Sequence, residues 1–327
     1  MGIKNLNRFL KDNSASSIKF MKLSKMSGKK VAVDISIYMY RFASDDNLIE
    51  NTYLMLSIFR HYNIIPIFIF DGKAPPEKRE LLMKRRQTKK DAEEEYRLLK
   101  VSLQNNDELD EIERQEIICS MDGLKQKFVN VSNHDIDMVK RLITSYGFEY
   151  YEAEGEADEI CALLAIKEKV WACLSEDMDM FVYGCPMVIR YFSLLNHTAV
   201  VYDMANILNN LGITQKEMRE ICVLSGTDYN SLDDNDNATS LNITLKYFKK
   251  YHKEKTDVDF YDWLTIRKKN YIKNRHLLLK INDMFDLSGD NVKNNMMVDD
   301  ILIETGEINK SLLYDILKED GFVFPIM

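Results

Sequence analysis

Short apolar runs followed by acidic residues recur along the chain. Three of them are residues 29–34, 64–70 and 170–174. The first ends in Asp34, the second is followed by Asp71, and the third leads into Asp177 and Asp179. Nearly continuous apolar runs of this length are typical of parallel strands that are covered on both faces. We therefore predict buried strands that carry carboxylates at their carboxyl ends.

Helical patterns alternate with these strands. Residues 54–62, 135–145 and 156–167 place apolar side chains at intervals of three and four, and further short strands are predicted at 148–151, 188–192 and 199–202. Such alternation predicts an α/β fold with a mostly parallel sheet and helices on both faces. Because ligands bind at the carboxyl ends of the strands in such sheets, the strand-end aspartates are candidate site residues.

Two regions depart from the alternation. Residues 75–131 are charged and helix-prone, which predicts a helical insertion. After Gly226 the pattern becomes helical, with a loop rich in Asn and Asp at 231–237. We predict a core at residues 1–230 that contains the insertion, and a separate helical region with a C-terminal tail at 231–327.

Composition and charge narrow the function classes. A net charge of −8 and a pI near 5.3 argue against nucleic-acid binding at first, because such binding usually leaves a basic footprint. Residues 73–100 and 246–275, however, each contain ten Lys or Arg, against six and four acidic residues. These stretches could hold phosphates, or they could be solvated helical faces. The chain has no apolar run long enough for a membrane span, and its scattered cysteines indicate a reducing, intracellular compartment.

Seven carboxylates form the candidate chemistry. They are Asp34, Asp71, Glu156, Asp158, Asp177, Asp179 and Asp228. Carboxylate oxygens are the ligands that Mg²⁺ and Mn²⁺ prefer, and a site with two ions needs several of them. Any single acid could instead be a surface charge or a helix N-terminal residue. The paired ExD and DxD spacings at strand ends favour a shared cation site.

Several motifs, in their order and spacing, resemble the flap endonuclease family, the structure-specific 5′-nucleases that include the xeroderma pigmentosum group G nuclease. The matching segments are MGIKNL, VAVDIS, FDGKAPP, EADEICALLA, SEDMDMFVYG and VLSGTDY. The resemblance covers roughly residues 1–230. It implies a nuclease that hydrolyses DNA phosphodiester bonds at flaps, free 5′ ends or branch points with two Mg²⁺ ions, for which Mn²⁺ can substitute.

The resemblance also implies roles for individual residues. Asp34, Asp71, Glu156 and Asp158 would hold the first ion, and Asp177, Asp179 and Asp228 the second. A different register of the EGEAD segment, with Glu154 and Glu156, is the alternative. Lys78 and Arg85 match basic residues that contact the scissile phosphate. The substrate-contacting residues would be Gly2 near the active site, Tyr40 stacking on a nucleotide, and Lys246, Lys249 and Lys250 on a basic helix.

The sequence departs from the family pattern after Asp228. The Gly-Ile-Gly hairpin of the family's helix–two-turn–helix module is missing, so duplex binding is expected there without a predicted potassium site. No sliding-clamp motif is found. The nucleus or cytoplasm, or a cytoplasmic viral factory for a viral member, is the expected location. Three alternatives stay open: an inactive DNA-binding scaffold of the same fold, a related 5′-exoribonuclease, and a phosphatase that uses Asp177 and Asp179.

Overall fold

In a computed structural model, the chain folds into two compact units. The model describes residues 3–105, 117, 120, 121, 123–125, 127–230, 241–254, 256–268, 271, 272, 274–288 and 298–322. Of these, the first unit takes residues from 1–35, 58–73 and 149–305, and the second takes residues from 36–57, 74–148 and 306–327.

A seven-stranded sheet forms the centre of the first unit. Its strands are β1 (Ile18–Lys22), β2 (Lys30–Asp34), β3 (Ile65–Phe70), β4 (Glu149–Glu152), β5 (Ala172–Leu174), β6 (Met187–Ser193) and β7 (Thr198–Asp203). Their order across the sheet is β1-β7-β6-β5-β2-β3-β4. Neighbours from β6 to β4 run parallel, whereas β7 is antiparallel to both β6 and β1. The sheet is therefore mostly parallel, as the alternation of patterns predicts, with an antiparallel edge that the sequence did not indicate.

The burial of the central strands explains why they could be predicted from the sequence. In β2, every residue from Val31 to Asp34 is buried, and five of the six residues of β3 are buried. Every predicted strand is present, with ends that shift by one or two residues. Strand β1 was not predicted, because Lys19, Phe20 and Lys22 are exposed and leave no apolar run.

The helices occupy most of the remaining described chain. They are α1 (Leu6–Asn13), α2 (Ile35–Ser44), α3 (Leu48–His61), α4 (Arg79–Asn105), α5 (Asn133–Ser145), α6 (Ala157–Ile166), α7 (Asp179–Tyr183), α8 (Met204–Leu211), α9 (Gln215–Leu224), α10 (Leu241–Glu254), α11 (Phe260–Arg267), α12 (Arg275–Met284) and α13 (Lys310–Glu319). The predicted helix at 54–62 belongs to the longer α3, and the insertion predicted at 75–131 contains the 27-residue α4.

In the second unit, α13 packs against α5. The Gly306 amide donates to the Gly147 carbonyl at 2.7 Å, and the Asn309 amide donates to the Ser145 carbonyl at 2.7 Å. Helix α5 begins with a capping box, in which Ser132 and Asp135 exchange hydrogen bonds. These contacts fasten the segment after residue 305 onto α5.

The core of the first unit is built from the sheet, α1 and α6 to α12. Cys161, Cys173, Cys185 and Cys222 are free thiols buried in it. Cys119 lies outside the described residues. Within the described chain, no helix is both long enough and apolar enough to cross a bilayer.

Candidate active site at the strand ends

Six of the seven predicted acids lie at or after the carboxyl ends of four adjacent parallel strands, β5, β2, β3 and β4, whereas Asp228 follows α9. Asp34 is the last residue of β2, and Asp71 directly follows β3. Asp177 lies in the loop between β5 and α7, whose first residue is Asp179. Glu156 and Asp158 stand at the start of α6, after β4. The topology of the sheet therefore brings residues that are distant in sequence to one edge.

A chain of hydrogen bonds links Asp34 to the loop after β5. The Ser175 hydroxyl donates to Asp34 Oδ2 at 3.0 Å, and its oxygen accepts the Asp177 amide at 3.1 Å. Asp177 Oδ1 in turn accepts the Asp179 amide at 3.0 Å. All three aspartates are at most 6% exposed. Ser175 therefore connects the carboxylate of one strand to those that follow its neighbour.

Asp71 contacts the beginning of α6. Its Oδ1 accepts the Ala157 amide at 2.9 Å, so a carboxylate from outside the helix satisfies one of its unpaired N-terminal donors. The residue after it, Gly72, allows the two segments to approach closely. A Cβ atom at Gly72 would lie 2.0 Å from the Ala153 carbonyl oxygen, and no side chain fits there.

Asp158 experiences the charges of the surrounding acids. Burial raises the pKa of its carboxyl well above the ordinary value, and the charges of Asp34, Asp177, Asp179 and Asp71 raise it further. The residue as a whole is partly exposed, but its Oδ1 is buried and has no hydrogen-bond partner among the described residues. An ionised Asp158 needs a cation to be stable in this position.

Glu156 is held from the other side by Tyr229, whose hydroxyl donates to Glu156 Oε2 at 2.5 Å. Burial and the charge of Glu156 raise the pKa of Tyr229, so the hydroxyl keeps its proton and remains a donor. Asp228 is half-buried and immediately precedes this tyrosine. Burial also raises the pKa of Tyr183, with contributions from Tyr229, Glu156, Asp158 and Asp179, which links Glu156 to the other acids.

The chemistry of these donors fits a hard divalent cation, since they are all carboxylates and the buried Oδ1 of Asp158 has no hydrogen-bond partner among the described residues. Among the described residues, however, no three Asp, Glu, His or Cys side chains lie close enough together to hold a single ion. The ligand set therefore stays a prediction. Glu154, the alternative ligand in the EGEAD segment, is exposed, and its carbonyl accepts the Lys73 amide at 3.0 Å.

Two predicted phosphate contacts belong to the second unit. Lys78 ends a short 3₁₀ helix at Pro76–Lys78 and is 8% exposed, whereas Arg85 is exposed on α4. Tyr40 in α2 has 48% of its surface exposed, and the Lys89 ammonium lies 5.1 Å from the centre of its ring. Gly2 lies outside the described residues.

The predicted basic helix is α10. Lys246, Lys249 and Lys250 line a cavity of about 490 Å³ together with Lys253 of the same helix. Phe9 and Asn13 of α1 line its other side. The sequence indicated the lysines but not the contribution of α1, because no local pattern relates residues more than 200 positions apart.

The sequence interpretation missed three residues at this site. Ser175 and Tyr229 lie inside motifs that were recognised, SEDMD and SGTDY, but received no role. Their polar groups next to candidate ligands were the available signal. Arg190, which contacts the loop that carries Asp177, has no signal in the sequence because it lies in the middle of a strand.

Two family models match this chain. The model described as XPG N-terminal domain matches residues 1–92, and the model described as XPG I-region matches residues 147–228. All seven predicted carboxylates fall within these ranges, as do Lys78 and Arg85. The lysines of α10 fall outside both ranges.

Relatives in other organisms give the same family assignment. Flap endonuclease 1 of Encephalitozoon cuniculi is 32% identical over 246 residues, which are 70% of this chain and 68% of that protein. Flap endonuclease 1-A of Sorghum bicolor is 31% identical over 248 residues, which are 70% of this chain and 62% of that protein. The chain thus spans about two thirds of the length of these relatives.

Similarity of fold extends further than similarity of sequence. The catalytic core of Rad2 in complex with DNA substrate superposes with a TM-score of 0.65 at 21% identity, over 98% of this chain and 95% of that one. Flap endonuclease-1 from Methanococcus jannaschii superposes with a TM-score of 0.56 at 20% identity, over 93% and 97%. With its fold, its strand-end acids and both family regions in agreement, the chain belongs to the XPG-like flap endonuclease family.

Proposed function

We propose that this chain is a structure-specific 5′-nuclease that hydrolyses phosphodiester bonds in flapped, branched or 5′-ended DNA. The observation that carries the proposal is the placement of Asp34, Asp71, Asp158, Asp177 and Asp179 at the carboxyl ends of adjacent parallel strands. An enzyme of this class needs such a concentration of negative charge to bind cations. Membership of the flap endonuclease family supports the same activity.

The carboxylates would act as cation ligands. We assign Asp34, Asp71, Glu156 and Asp158 to one Mg²⁺ and Asp177, Asp179 and Asp228 to a second, with Mn²⁺ as a substitute. Bound divalent ions at such sites supply activation of water and stabilisation of the leaving oxygen. Ser175 and Tyr229 would orient Asp34 and Glu156 through the hydrogen bonds that they donate.

Lys78 and Arg85 would neutralise charge on the scissile phosphate. Lys78 ends the 3₁₀ helix that leads directly into α4, and Arg85 lies in the second turn of α4. A cationic group near the transferring phosphoryl oxygen stabilises the transition state most where water is excluded. The exposed ring of Tyr40 would stack on a nucleotide, an interaction that is insensitive to base sequence and suits an enzyme that recognises structure.

The cavity between α1 and α10 would bind backbone phosphates of the duplex. Four lysines on one face of α10 provide the charge, and Lys246 to Lys253 spans about 10 Å at the helical rise of about 1.5 Å per residue. Non-specific phosphate binding of this kind weakens steeply with salt. The loop at 231–237 lies outside the described residues, so the proposal for duplex binding rests on the lysines and not on the missing hairpin.

Cleavage of a labelled substrate panel tests the proposed activity. The panel contains flap, nicked, gapped, single-stranded and four-way DNA, with RNA counterparts, each with and without Mg²⁺. We expect Mg²⁺-dependent cleavage of flapped or branched DNA that leaves a 5′-phosphate, and we expect Asp177→Ala and Asp179→Ala to bind DNA without cutting it. Binding by the wild-type protein without any cleavage would favour the scaffold, preferential cleavage of RNA would favour an exoribonuclease, and hydrolysis of para-nitrophenyl phosphate would favour a phosphatase.

A further inference from the structure

A bulge in β6 places a tyrosine in an unusual backbone conformation beside the candidate site. The pairing of β6 with β7 shifts between Arg190 and Ser193, and Tyr191 within this shift has a φ of 54°. Residues other than glycine rarely adopt positive φ, and bulky ones persist there only where the surroundings hold them. Bulges next to active sites commonly redirect a side chain. The contacts of this bulge therefore indicate its structural role.

Most of those contacts go to the loop between β5 and α7. Arg190 is 7% exposed, and its Nη2 donates to the Glu176 carbonyl at 2.9 Å while its Nη1 contacts Met178 Sδ at 2.8 Å. The two residues that flank Asp177 in sequence are thus both held by one guanidinium. Because arginine offers five donors in a rigid fork, a single side chain can fix several groups at once.

The Glu176 side chain, which belongs to the loop, in turn contacts the bulge. Its Oε1 accepts the Tyr191 amide at 2.6 Å, and its Oε2 lies 3.5 Å from Arg190 Nε. The positive φ of Tyr191 belongs to the same residue whose amide makes this bond. The bulge and the loop are thereby joined through both oxygens of one carboxylate.

The tyrosine ring extends the connection to the first helix. Asn7 Nδ2 donates to the Tyr191 hydroxyl at 2.7 Å, and Asn7 Oδ1 accepts the Tyr202 hydroxyl at 2.8 Å. Lys11 Nζ lies 5.1 Å from the centre of the Tyr191 ring, and the Arg190 guanidinium carbon lies 5.0 Å from it. With two cations against its ring, Tyr191 is engaged within the protein and is not an open stacking surface.

We propose that Glu176, Arg190 and the bulge at Tyr191 are positioning residues that hold Asp177 and Asp179 in the geometry needed to bind a divalent cation. The proposal rests on the proposed function of the acidic site. None of the three touches the substrate in this proposal; they act by restricting the loop. Residues that orient metal ligands typically contribute about 10- to 100-fold to metal affinity or activity.

Binding of Mn²⁺ to the full chain, measured by calorimetry in the absence of DNA, tests this role. We expect Glu176→Ala and Arg190→Lys each to weaken Mn²⁺ binding by about 10- to 100-fold. Glu176→Gln keeps an acceptor for the Tyr191 amide and should lose less than Glu176→Ala. Tyr191→Gly tolerates the positive φ and keeps the amide, so it should bind Mn²⁺ within a few-fold of wild type.

A matched control separates positioning from general stability. Glu254 also receives two donors, from Trp263 Nε1 at 2.7 Å and Arg267 Nη2 at 2.9 Å, in a part of the first unit that carries no predicted ligand. Glu254→Ala should lower the unfolding temperature without changing Mn²⁺ affinity. Wild-type affinity in either Glu176→Ala or Arg190→Lys, or an equal loss in Glu254→Ala, would overturn the proposal.

The same measurements keep this inference distinct from the proposed function. If wild-type protein binds Mn²⁺ and the Glu176 variant does not, yet no nucleic acid is cleaved, the positioning role stands and the nuclease assignment fails. If DNA is cleaved and Glu176→Ala binds Mn²⁺ as wild type does, the nuclease assignment stands and the positioning role fails. If the wild-type protein binds no Mn²⁺, the positioning role fails as well.

Discussion

Replacing Gly72 by alanine should inactivate the site without touching a carboxylate. The added Cβ would lie 2.0 Å from the Ala153 carbonyl oxygen and 2.6 Å from that of Glu154. Carbon and oxygen atoms that are not bonded approach to about 3.3 Å at closest, so one segment must move by more than about 1 Å. Both atoms it meets belong to the backbone, so rotation of a side chain cannot relieve the clash.

The displaced segment carries the acids of α6. Gly72 donates its amide to the Gly155 carbonyl at 2.7 Å, and Lys73 donates to the Glu154 carbonyl at 3.0 Å. One residue before, Asp71 accepts the Ala157 amide. A shift of about 1 Å here separates Asp71 from Glu156 and Asp158, whereas productive sites tolerate only about 0.5 Å. We expect a loss of about 100-fold in cleavage rate, with about 1–3 kcal/mol of stability lost to overpacking.

Single-turnover cleavage at saturating Mg²⁺ measures the rate, and thermal unfolding shows that the protein tested is folded. Gly155→Ala is the matched control. It lies on the same loop, a Cβ there meets nothing within 4 Å, and its φ lies outside the left-handed region. We expect its rate to stay within a few-fold of wild type. A wild-type rate for Gly72→Ala, or a comparable loss in both variants, would refute the argument that close approach at Gly72 sets the geometry of the acids.

Three further predictions concern stability. Asp158→Asn removes the cost of burying a charge beside other acids, so it should raise the unfolding temperature of the metal-free protein by about 2–4 °C for each kcal/mol relieved and should abolish stabilisation by Mg²⁺. Calorimetry with and without Mg²⁺ checks both effects, and a lower unfolding temperature for the metal-free variant contradicts the prediction. Burial raises the pKa of Glu220 to about 6, so in the wild-type protein ionisation between about pH 4.5 and 6 costs stability that is fully present below that range. In urea unfolding, the free energy of unfolding of Glu220→Gln should therefore equal that of the wild type near pH 4 and exceed it by about 1–2 kcal/mol at pH 7. A difference that stays constant across this pH range would contradict the raised pKa of Glu220. Gly147→Ala places a Cβ 2.6 Å from the Glu307 carbonyl oxygen, whereas Gly212 has a similar positive φ but open space around it. In urea unfolding, Gly147→Ala should therefore lower the free energy of unfolding by about 1–3 kcal/mol more than Gly212→Ala does. Equal losses in the two variants would exclude the steric explanation.

The sequence predicts those strands whose own residues carry a recognisable pattern, and it misses those that depend on a distant partner. The strands β2 and β3 are covered on both faces, and their apolar runs are visible without knowledge of their neighbours. Strand β1 has exposed Lys19, Phe20 and Lys22, and it becomes a strand only because β7, almost 180 residues later, provides its hydrogen-bonding partner. Pairing between distant segments leaves no local trace, so the β1–β7 pairing could not be predicted.

The residues of the candidate site also fall into a group that local sequence signals predict and a group that only the fold reveals. Its carboxylates follow from short motifs and from the rule that ligands bind at strand ends, but their partners come from elsewhere in the fold. Tyr229 reaches Glu156 across 73 positions, and Ser175 reaches Asp34 across 141. Arg190 is read from the sequence as an ordinary strand residue. Only the folded chain identifies it as the residue that holds the loop around Asp177.

The backbone explains how so many acids can share one edge of the sheet. Asp71 accepts an amide at the start of α6, and Asp177 accepts the amide of Asp179 at the start of α7. Amides at helix N-termini stabilise negative charge, so part of the repulsion is offset by the fold itself. Asp158 has a buried Oδ1 without a hydrogen-bond partner in the described part of the chain, and burial together with the charges of the neighbouring acids raises the pKa of its carboxyl. An ionised Asp158 therefore depends on a nearby cation, so added Mg²⁺ should lower the pKa of its carboxyl.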